Sequence, residues 1–416
     1  MQPAFKNQAH LLQWQQKKMH RFFKRTLTKS NYYKPYFQNG TFELSQIPVI
    51  QKEGFMEYFD QINTVNIIKD EAMNLAIKAE ESRDFKSEIN GITVGLSTGT
   101  SGKRGLFLVS ETERAQWVAI VMNRILKPKF FKKQKIAFFL RANSNLYTSV
   151  QSNLFEFQYF DIFRPVNELI EEMNRYQPDI LAAQPSILKE IAKAHLQNNI
   201  HLTLTQIISF AEVLHDNDAQ FIEQYLGIPI QQIYPCTEGL LGVSCSKGVM
   251  HLNEDVIHVE KEWIDDTRFY PIITDFNRAS QPVIRYKMND ILQIKTTQCS
   301  CGSHFLAIEK ILGRDDEVLV FEGINIYPDV ISRKIALGTD NFFNYEIIQT
   351  TNQQIRIYLD CAAEDFEISS MKIEHILRDI LLSNGIKQNV ELVTVLHSLK
   401  LNGQKQRKIR RLNYED

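Results

Sequence analysis

The chain is poor in the features that would take it out of a reducing, aqueous setting. Five cysteines in 416 residues are too few, and odd in number, for a disulfide framework. No run approaches the roughly 18 apolar residues of a spanning helix. The N-terminal MQPAFKNQAHLLQWQQKK lacks the apolar core of a signal peptide. Net charge is close to nil, −1 at pH 7, so no overall pull toward nucleic acid or an anionic membrane is expected. Internal repeats and low-complexity tracts are absent as well. These absences leave a soluble, cytoplasmic α/β protein with no nucleic-acid partner and no membrane span. With 44% of its residues hydrophobic, the chain can bury at least one large core, and its length predicts two or three domains.

The densest basic stretch, QKKMHRFFKRTLTKSNYYKPYF, carries Leu11, Trp14, Met19, Phe22 and Phe23 at roughly helical spacing. A membrane-surface helix is one reading; an ordinary helix packed on the main domain is favoured, because basic amphipathic helices are commonly solvated faces. Beyond residue 90, IAFFLR (136–141), DILAAQ (179–184), IISFAE (207–212) and IQQIYP (230–235) read as buried strands. VNELIEEMNRY (166–176), ILKEIAKAHLQNN (187–199) and DAQFIEQYLG (218–227) carry the apolar period of helices. Alternation of this kind predicts a largely parallel sheet covered on both faces, with active residues on loops past the strand carboxyl ends. From residue 314 a smaller pattern restarts: EVLVFEGINIYP, PDVISRKIAL, EIIQTTNQQIRIYLDC, IEHILRDILLSNG and VELVTVL. The expected architecture is therefore α/β. A large N-terminal domain (1–313), with mixed, mainly parallel sheets flanked by helices, precedes a small α+β C-terminal domain (314–416).

The most informative segment is Leu96-Ser97-Thr98-Gly99-Thr100-Ser101-Gly102-Lys103-Arg104-Gly105. Three glycines among four hydroxyl residues let backbone N–H groups turn inward without Cβ obstruction, and hydroxyls with a flanking cation suit phosphate oxygens. It is not a Walker loop, because Arg104 rather than Ser or Thr follows Lys103, and it is not GxGxxG. A plain Ser/Gly turn would explain GTSG alone. Further motifs follow in order: SFAEVL (209–214), Tyr234-Pro235-Cys236-Thr237-Glu238-Gly239, FYPIITDFNRASQPVIRYKMNDIL (269–292), Gly313-Arg314-Asp315-Asp316 and GINIYP (323–328). LKLNGQKQRKIRRL stands near the end of the chain.

This series, with the loop at its head, resembles the acyl-adenylate-forming superfamily of acyl-CoA synthetases, adenylation domains and luciferases. The likeness is strongest to the compact phenylacetate–CoA ligase branch and to relatives that adenylate a deazaflavin coenzyme. SNYYKPYF and IPVIQKEGF are similar to the N-terminal signature of that branch. The resemblance spans nearly the whole chain and implies ATP-dependent activation of a small carboxylic acid, aryl or acyl, as its acyl-AMP. Transfer to a thiol of CoA, or to the phosphopantetheine arm of an acyl carrier protein, would follow. It implies that Ser97, Thr98, Gly99, Thr100, Ser101, Gly102 and Lys103 cradle phosphate, and that Ala211, Glu212 and Tyr234 face the nucleotide. Thr237 would meet the α-phosphate and Glu238 would hold Mg²⁺, for which one carboxylate among waters is sufficient. Asp290 would accept both ribose hydroxyls, Arg314 would contact the ribose, and Asp316 would be the hinge. The catalytic lysine is expected at Lys405, with Lys408 as the rival, since the usual Gly-Lys pair is absent.

The sequence departs from the family pattern at Lys287 and Asn289, where Arg and Gly are usual. Asn tolerates a left-handed backbone, which would keep that turn. Gly105 occupies the place of the usual loop lysine, as in the phenylacetate branch. Cys245, His251, Cys299 and Cys301 supply a Cys₃His set suited to structural Zn²⁺; free thiols in a reducing compartment are the other reading. Two further functions stay open: an adenylyltransferase leaving a stable AMP conjugate of a coenzyme, and a non-catalytic nucleotide-binding protein. The aromatics of FEFQYFDIF (155–163) fit either an aryl pocket or the core. The oligomeric state is open, a homodimer among the options.

Overall fold

A computed structural model describes residues 5–37, 41–83, 87–97, 104–126, 132–140, 148–339, 342, 344–398 and 408–412. Its centre is a 12-stranded sheet. One half is parallel, in the spatial order Phe155–Asp161, Gln134–Leu140, Ile180–Ala183, Gln206–Ser209 and Ile230–Cys236. These are the four expected strands and one more. They are covered on both faces, as the alternation along Gln134–Leu140 requires. Ala137 and Phe139 enter one core with helices Val166–Tyr176, Pro185–Leu196 and Asp216–Leu226, whereas Ile136 and Phe138 enter another with Val121 and Ile125. Within FEFQYFDIF, Phe155 and Phe160 are wholly buried in these cores, whereas Phe163 is exposed.

The parallel run ends where it meets Thr237 and Glu238. A two-residue connection cannot make a crossover, so Gly239–Ser244 folds back antiparallel on Ile230–Cys236. The sheet then continues antiparallel through Met250–Leu252, Ala307–Arg314, Asp290–Ile294, Arg268–Asp275 and Ile257–Trp263. The basic N-terminal helix, Gln8–Thr26, packs on this half. Leu11, Phe22 and Phe23 are buried, and Trp14 Nε1 donates to the Asp255 carbonyl at 2.9 Å. Its apolar stripe is thus spent on the protein's own core, and among the described residues no helix is long and apolar enough to cross a membrane.

A separate three-stranded antiparallel sheet, Glu88–Ile89, Ile92–Leu96 and Leu106–Val109, carries the phosphate-loop segment between its last two strands. After Arg314 comes a hairpin (Leu319–Phe321, Ile324–Ile326) and helix Pro328–Gly338. A four-stranded sheet and helix Phe366–Ser383 then share a core of their own around Ile347, Ile357, Ile373 and Leu377.

Candidate active site

A cavity of about 1280 Å³ opens beyond the carboxyl ends of the parallel strands. Ser97, Gly105, Ala211, Glu212, Tyr234, Thr237, Glu238, Asp290, Arg314 and Asp316 all line it. Residues up to 219 positions apart in sequence (97 to 316) are thereby gathered on one wall system. Thr98, Gly99, Thr100, Ser101, Gly102, Lys103 and Lys405 lie outside the described residues.

The base of the glycine-rich loop is closed by reciprocal bonds. Ser97 N donates to the Gly105 carbonyl and Gly105 N to Ser97 Oγ, both at 2.7 Å. Arg104 does not face the cavity with its charge. Its guanidinium is spent on both Glu80 oxygens at 2.5 Å. Among the described residues, a cation that reaches the loop base is Lys52, whose Cε lies 3.4 Å from where a Cβ on Gly105 would sit. Lys52 opens the short helix Lys52–Glu57, and the segment before it is tied to the central sheet. Ile50 N donates to the Arg285 carbonyl, and Lys287 N to the Ile50 carbonyl. Burial lowers the Lys52 ammonium pKa, and the neighbouring Glu238 carboxylate opposes that shift. Nothing in the motif IPVIQKEGF itself marks this lysine for a role.

Glu238 also accepts from Tyr286, whose phenol is pushed far up by burial and then by that carboxylate. Tyr234 donates to Asp290 Oδ2 at 2.5 Å, and Arg314 Nε stands 3.4 Å from Asp290 Oδ1. Asp290 and Arg314 are register partners on adjacent strands, so the sheet itself sets this spacing. Burial, with Asp290 second, drives the Tyr234 hydroxyl well above its ordinary range, keeping it a donor. The left-handed residue of this segment is Arg285, φ 48°, and not Asn289. Arg285 is held there by a two-pronged pair with Glu260 and by carbonyls of Ser45 and Ile47.

Just past strand Gln206–Ser209, Ala211 adopts φ +70°, an uncommon conformation for a residue with a Cβ. Glu212 accepts from Ser186 N at 3.2 Å, at the start of helix Pro185–Leu196, so part of its carboxylate caps that helix. Lys408, from the chain's last strand region, reaches the same cavity. Its Nζ bonds Asp218 Oδ2 at 3.1 Å, and Lys189 Nζ takes Oδ1 at 2.7 Å. Burial alone would raise the Asp218 carboxyl pKa; the two lysines hold it well below the usual carboxylate range.

Away from the cavity, Cys245, His251, Cys299 and Cys301 place four ligand atoms within 4.8 Å of one another. Cys245 and Cys299 sulfurs are 3.8 Å apart, and Cys301 Sγ is 3.4 Å from His251 Nε2. Zn–S bonds of 2.3 Å in a tetrahedron give edges of about 3.8 Å, so the set fits the ion. His251 Nδ1 lies 3.1 Å from the Phe305 carbonyl, the outer bond that would leave Nε2 for a metal.

No protein-family model matches the chain. Over 195 residues it is 26% identical to Protein CapK of Staphylococcus aureus, covering 46% of this chain and 43% of that protein. It is 22% identical over 191 residues to a phenylacetate-coenzyme A ligase of Thermus thermophilus, covering 42% of each. The chain thus spans somewhat under half the length of these curated relatives. Among solved structures, a 2-hydroxyisobutyryl-CoA ligase in its postadenylation state superposes with a TM-score of 0.69 at 16% identity. That match covers 100% of this chain and 91% of the other. The chain therefore shares the fold of that CoA ligase, and in sequence it resembles CapK and phenylacetate-coenzyme A ligase.

Proposed function

We propose that this protein is an AMP-forming acid–thiol ligase. A carboxylate oxygen of a small organic acid attacks the α-phosphate of ATP, the bond to the β-phosphate breaks, and pyrophosphate leaves with acyl-AMP retained. A thiol, of CoA or of a carrier protein's phosphopantetheine, then attacks the acyl carbon and releases AMP. The observation that carries this reading is the meeting of the phosphate-loop base, Glu238 and Asp290 on one cavity.

The chemistry asked of these residues is mainly positioning and charge neutralisation. The loop Ser97–Lys103 and Lys52 would receive the β- and γ-phosphates; Lys52 supplies, from a distant segment, the cation that Gly105 cannot. Thr237 would bond the α-phosphate. Glu238 is the carboxylate suited to Mg²⁺, which when bound neutralises phosphate charge. Tyr234 and Arg314 orient Asp290 toward the ribose. Ala211 and Glu212 would wall the adenine.

Residues 1–313 would form the nucleotide- and acid-binding domain, and 314–416 a small domain turning about Asp316 between the half-reactions. Lys405 remains the favoured catalytic lysine, because the Lys408 ammonium is engaged by Asp218. Cys245, His251, Cys299 and Cys301 would hold a structural zinc, with thiols reduced as in cytoplasm. The direct test is ATP–pyrophosphate exchange over a panel of aryl, hydroxy and short-chain acids. Exchange that needs one acid class and magnesium is expected; silence across the panel, with ATP bound, would leave a nucleotide-binding protein without this activity.

A further inference from the structure

The turn that follows strand Arg268–Asp275 sends two buried side chains to the cavity wall. Arg278 is 9% exposed and Gln281 1%. The turn is pinned at both ends. Asp275 Oδ1 accepts from Asn277 N at 2.7 Å, and Glu113 accepts from Ala279 N, Ser280 N and Ser280 Oγ at 2.6–3.0 Å. Glu113 itself belongs to the capping box that opens helix Glu111–Arg124, so its position is set locally.

From this fixed turn Gln281 reads the strand that leaves the phosphate loop as a neighbouring strand would. Its Oε1 accepts from Leu108 N at 3.0 Å and its Nε2 donates to the Leu106 carbonyl at 3.2 Å. Arg278 lies across it. One terminal nitrogen donates to the Thr237 carbonyl at 3.2 Å. The other donates to the Leu108 carbonyl and to Gln281 Oε1, both at 3.3 Å. A single planar, rigid guanidinium therefore bridges the Thr237–Glu238 turn and the phosphate hairpin. These two segments belong to different sheets, so the ladder of neither one fixes their separation.

We infer that Arg278, seated on Gln281, is a positioning residue: it holds the Thr237–Glu238 turn and the phosphate hairpin at one spacing before nucleotide arrives. This rests on the adenylate-forming reading. Misplacement of such groups by about 1 Å can cost about 10²-fold in rate, and the loss should fall on turnover more than on nucleotide affinity.

The experiment compares wild type, Arg278→Met and Arg278→Lys by calorimetric titration with ATP·Mg²⁺ and by pyrophosphate exchange, per titrated active site. The expected result for Arg278→Met is an exchange kcat about 10²-fold lower with KM for ATP changed by less than about tenfold. Methylguanidinium in the buffer should restore at least part of that rate, which a general loss of stability would not allow. Arg278→Lys, which keeps the charge but not the fork, should fall between. If Arg278→Met does not fold, Arg278→Lys decides the matter, and a wild-type exchange rate in it overturns the proposal. So does a folded Arg278→Met whose rate is within about threefold of wild type, or a loss that methylguanidinium leaves unchanged. Wild type that neither binds ATP nor exchanges would overturn the parent reading, and this one with it; an active wild type with an equally active Arg278 variant overturns this one alone.

Discussion

Gly239→Ala tests how tightly the Thr237–Glu238 turn is set. A Cβ at this position would lie 2.6 Å from Asp275 Oδ2 and 4.0 Å from Leu241 Cδ2. Ordinary contact needs roughly 3.4 Å or more, so something must move by about 0.8 Å. Asp275 cannot swing away freely, because it is buried and its other oxygen accepts from Asn277 N at 2.7 Å. Breaking that bond would cost about 1–3 kcal/mol, comparable with the usual cost of overpacking a core. If instead the strand gives way, the displacement passes directly to Glu238 and Thr237, with up to about 10²-fold lost in turnover. Thermal unfolding reads the first route and pyrophosphate exchange the second, and at least one should change. In an Asp275→Ala background the obstructing oxygen is gone, so the alanine penalty should shrink by about 1–2 kcal/mol or the equivalent rate factor. A Gly239→Ala protein with wild-type melting and exchange, or strict additivity in the cycle, would refute the geometry.

Three further expectations follow from the same structure. Burial raises the Asp275 carboxyl from 3.8 to about 6. Its contribution to stability is therefore complete below pH about 4 and lost as pH rises through 6, an interval worth roughly 3 kcal/mol. Urea unfolding of Asp275→Asn against wild type should move in favour of the variant by that amount between pH 4 and 7; an unchanged difference would count against the burial argument. Purified protein should contain one zinc per chain, and Cys299→Ser should lose it along with about 2 kcal/mol or more of stability; metal-free wild type that melts unchanged after chelation would mean plain thiols. Asp218→Asn should release Lys408 and Lys189 together. We expect pyrophosphate exchange to fall severalfold while thioester formation from preformed acyl-AMP holds or rises, and an equal drop in both would speak against a conformational role.

Much of this architecture could be read from the residues because its determinants are local. Val166–Tyr176 was bounded correctly from its apolar period, since Pro165 and the left-handed Gln177 stop it at either end. The cluster of glycines and hydroxyls at 96–105 is local too, although of the ten only Leu96, Ser97, Arg104 and Gly105 lie among the described residues. The sequence pattern underestimated the last helix, which runs Phe366–Ser383 rather than starting near Ile373. Its first turns bury Ser369, a small polar residue invisible to a search for apolar spacing. Of the antiparallel half of the great sheet, the strand–turn–strand of 269–292 is legible through the family resemblance, and the rest follows from the shortness of one connection, not from strand composition. Lys52, Tyr286 and Arg278 escaped notice for a different reason. Each acts on a partner far along the chain, Arg278 on Leu108 across 170 residues, and a single sequence carries no signal for such pairings.

The junction near Arg314 bears on whether the C-terminal unit can turn as the proposed two-step chemistry requires. That unit closes a core of its own, with Ile347, Ile355, Ile357 and Leu359 among its wholly buried residues. The apolar cluster joining it to the rest is small, with Ile291, Leu312, Val318 and Tyr327 as its buried members. The other ties are polar and partly exposed. Tyr270 donates to Asp315, Arg268 stacks 3.9 Å over the Tyr327 ring, and Lys408 meets Asp218. The exposed Tyr270–Asp315 contact is worth about 1 kcal/mol or less, whereas Asp218 is buried, so parting it from Lys408 costs more unless its charge finds another partner. The seam thus combines a small apolar cluster with polar contacts, and a small seam of this kind is what a rotation between the proposed half-reactions would need. On the proposed two-step reading, the lysine pair on Asp218 would be made in one arrangement and surrendered in the other, so that a single cavity could serve both attacks.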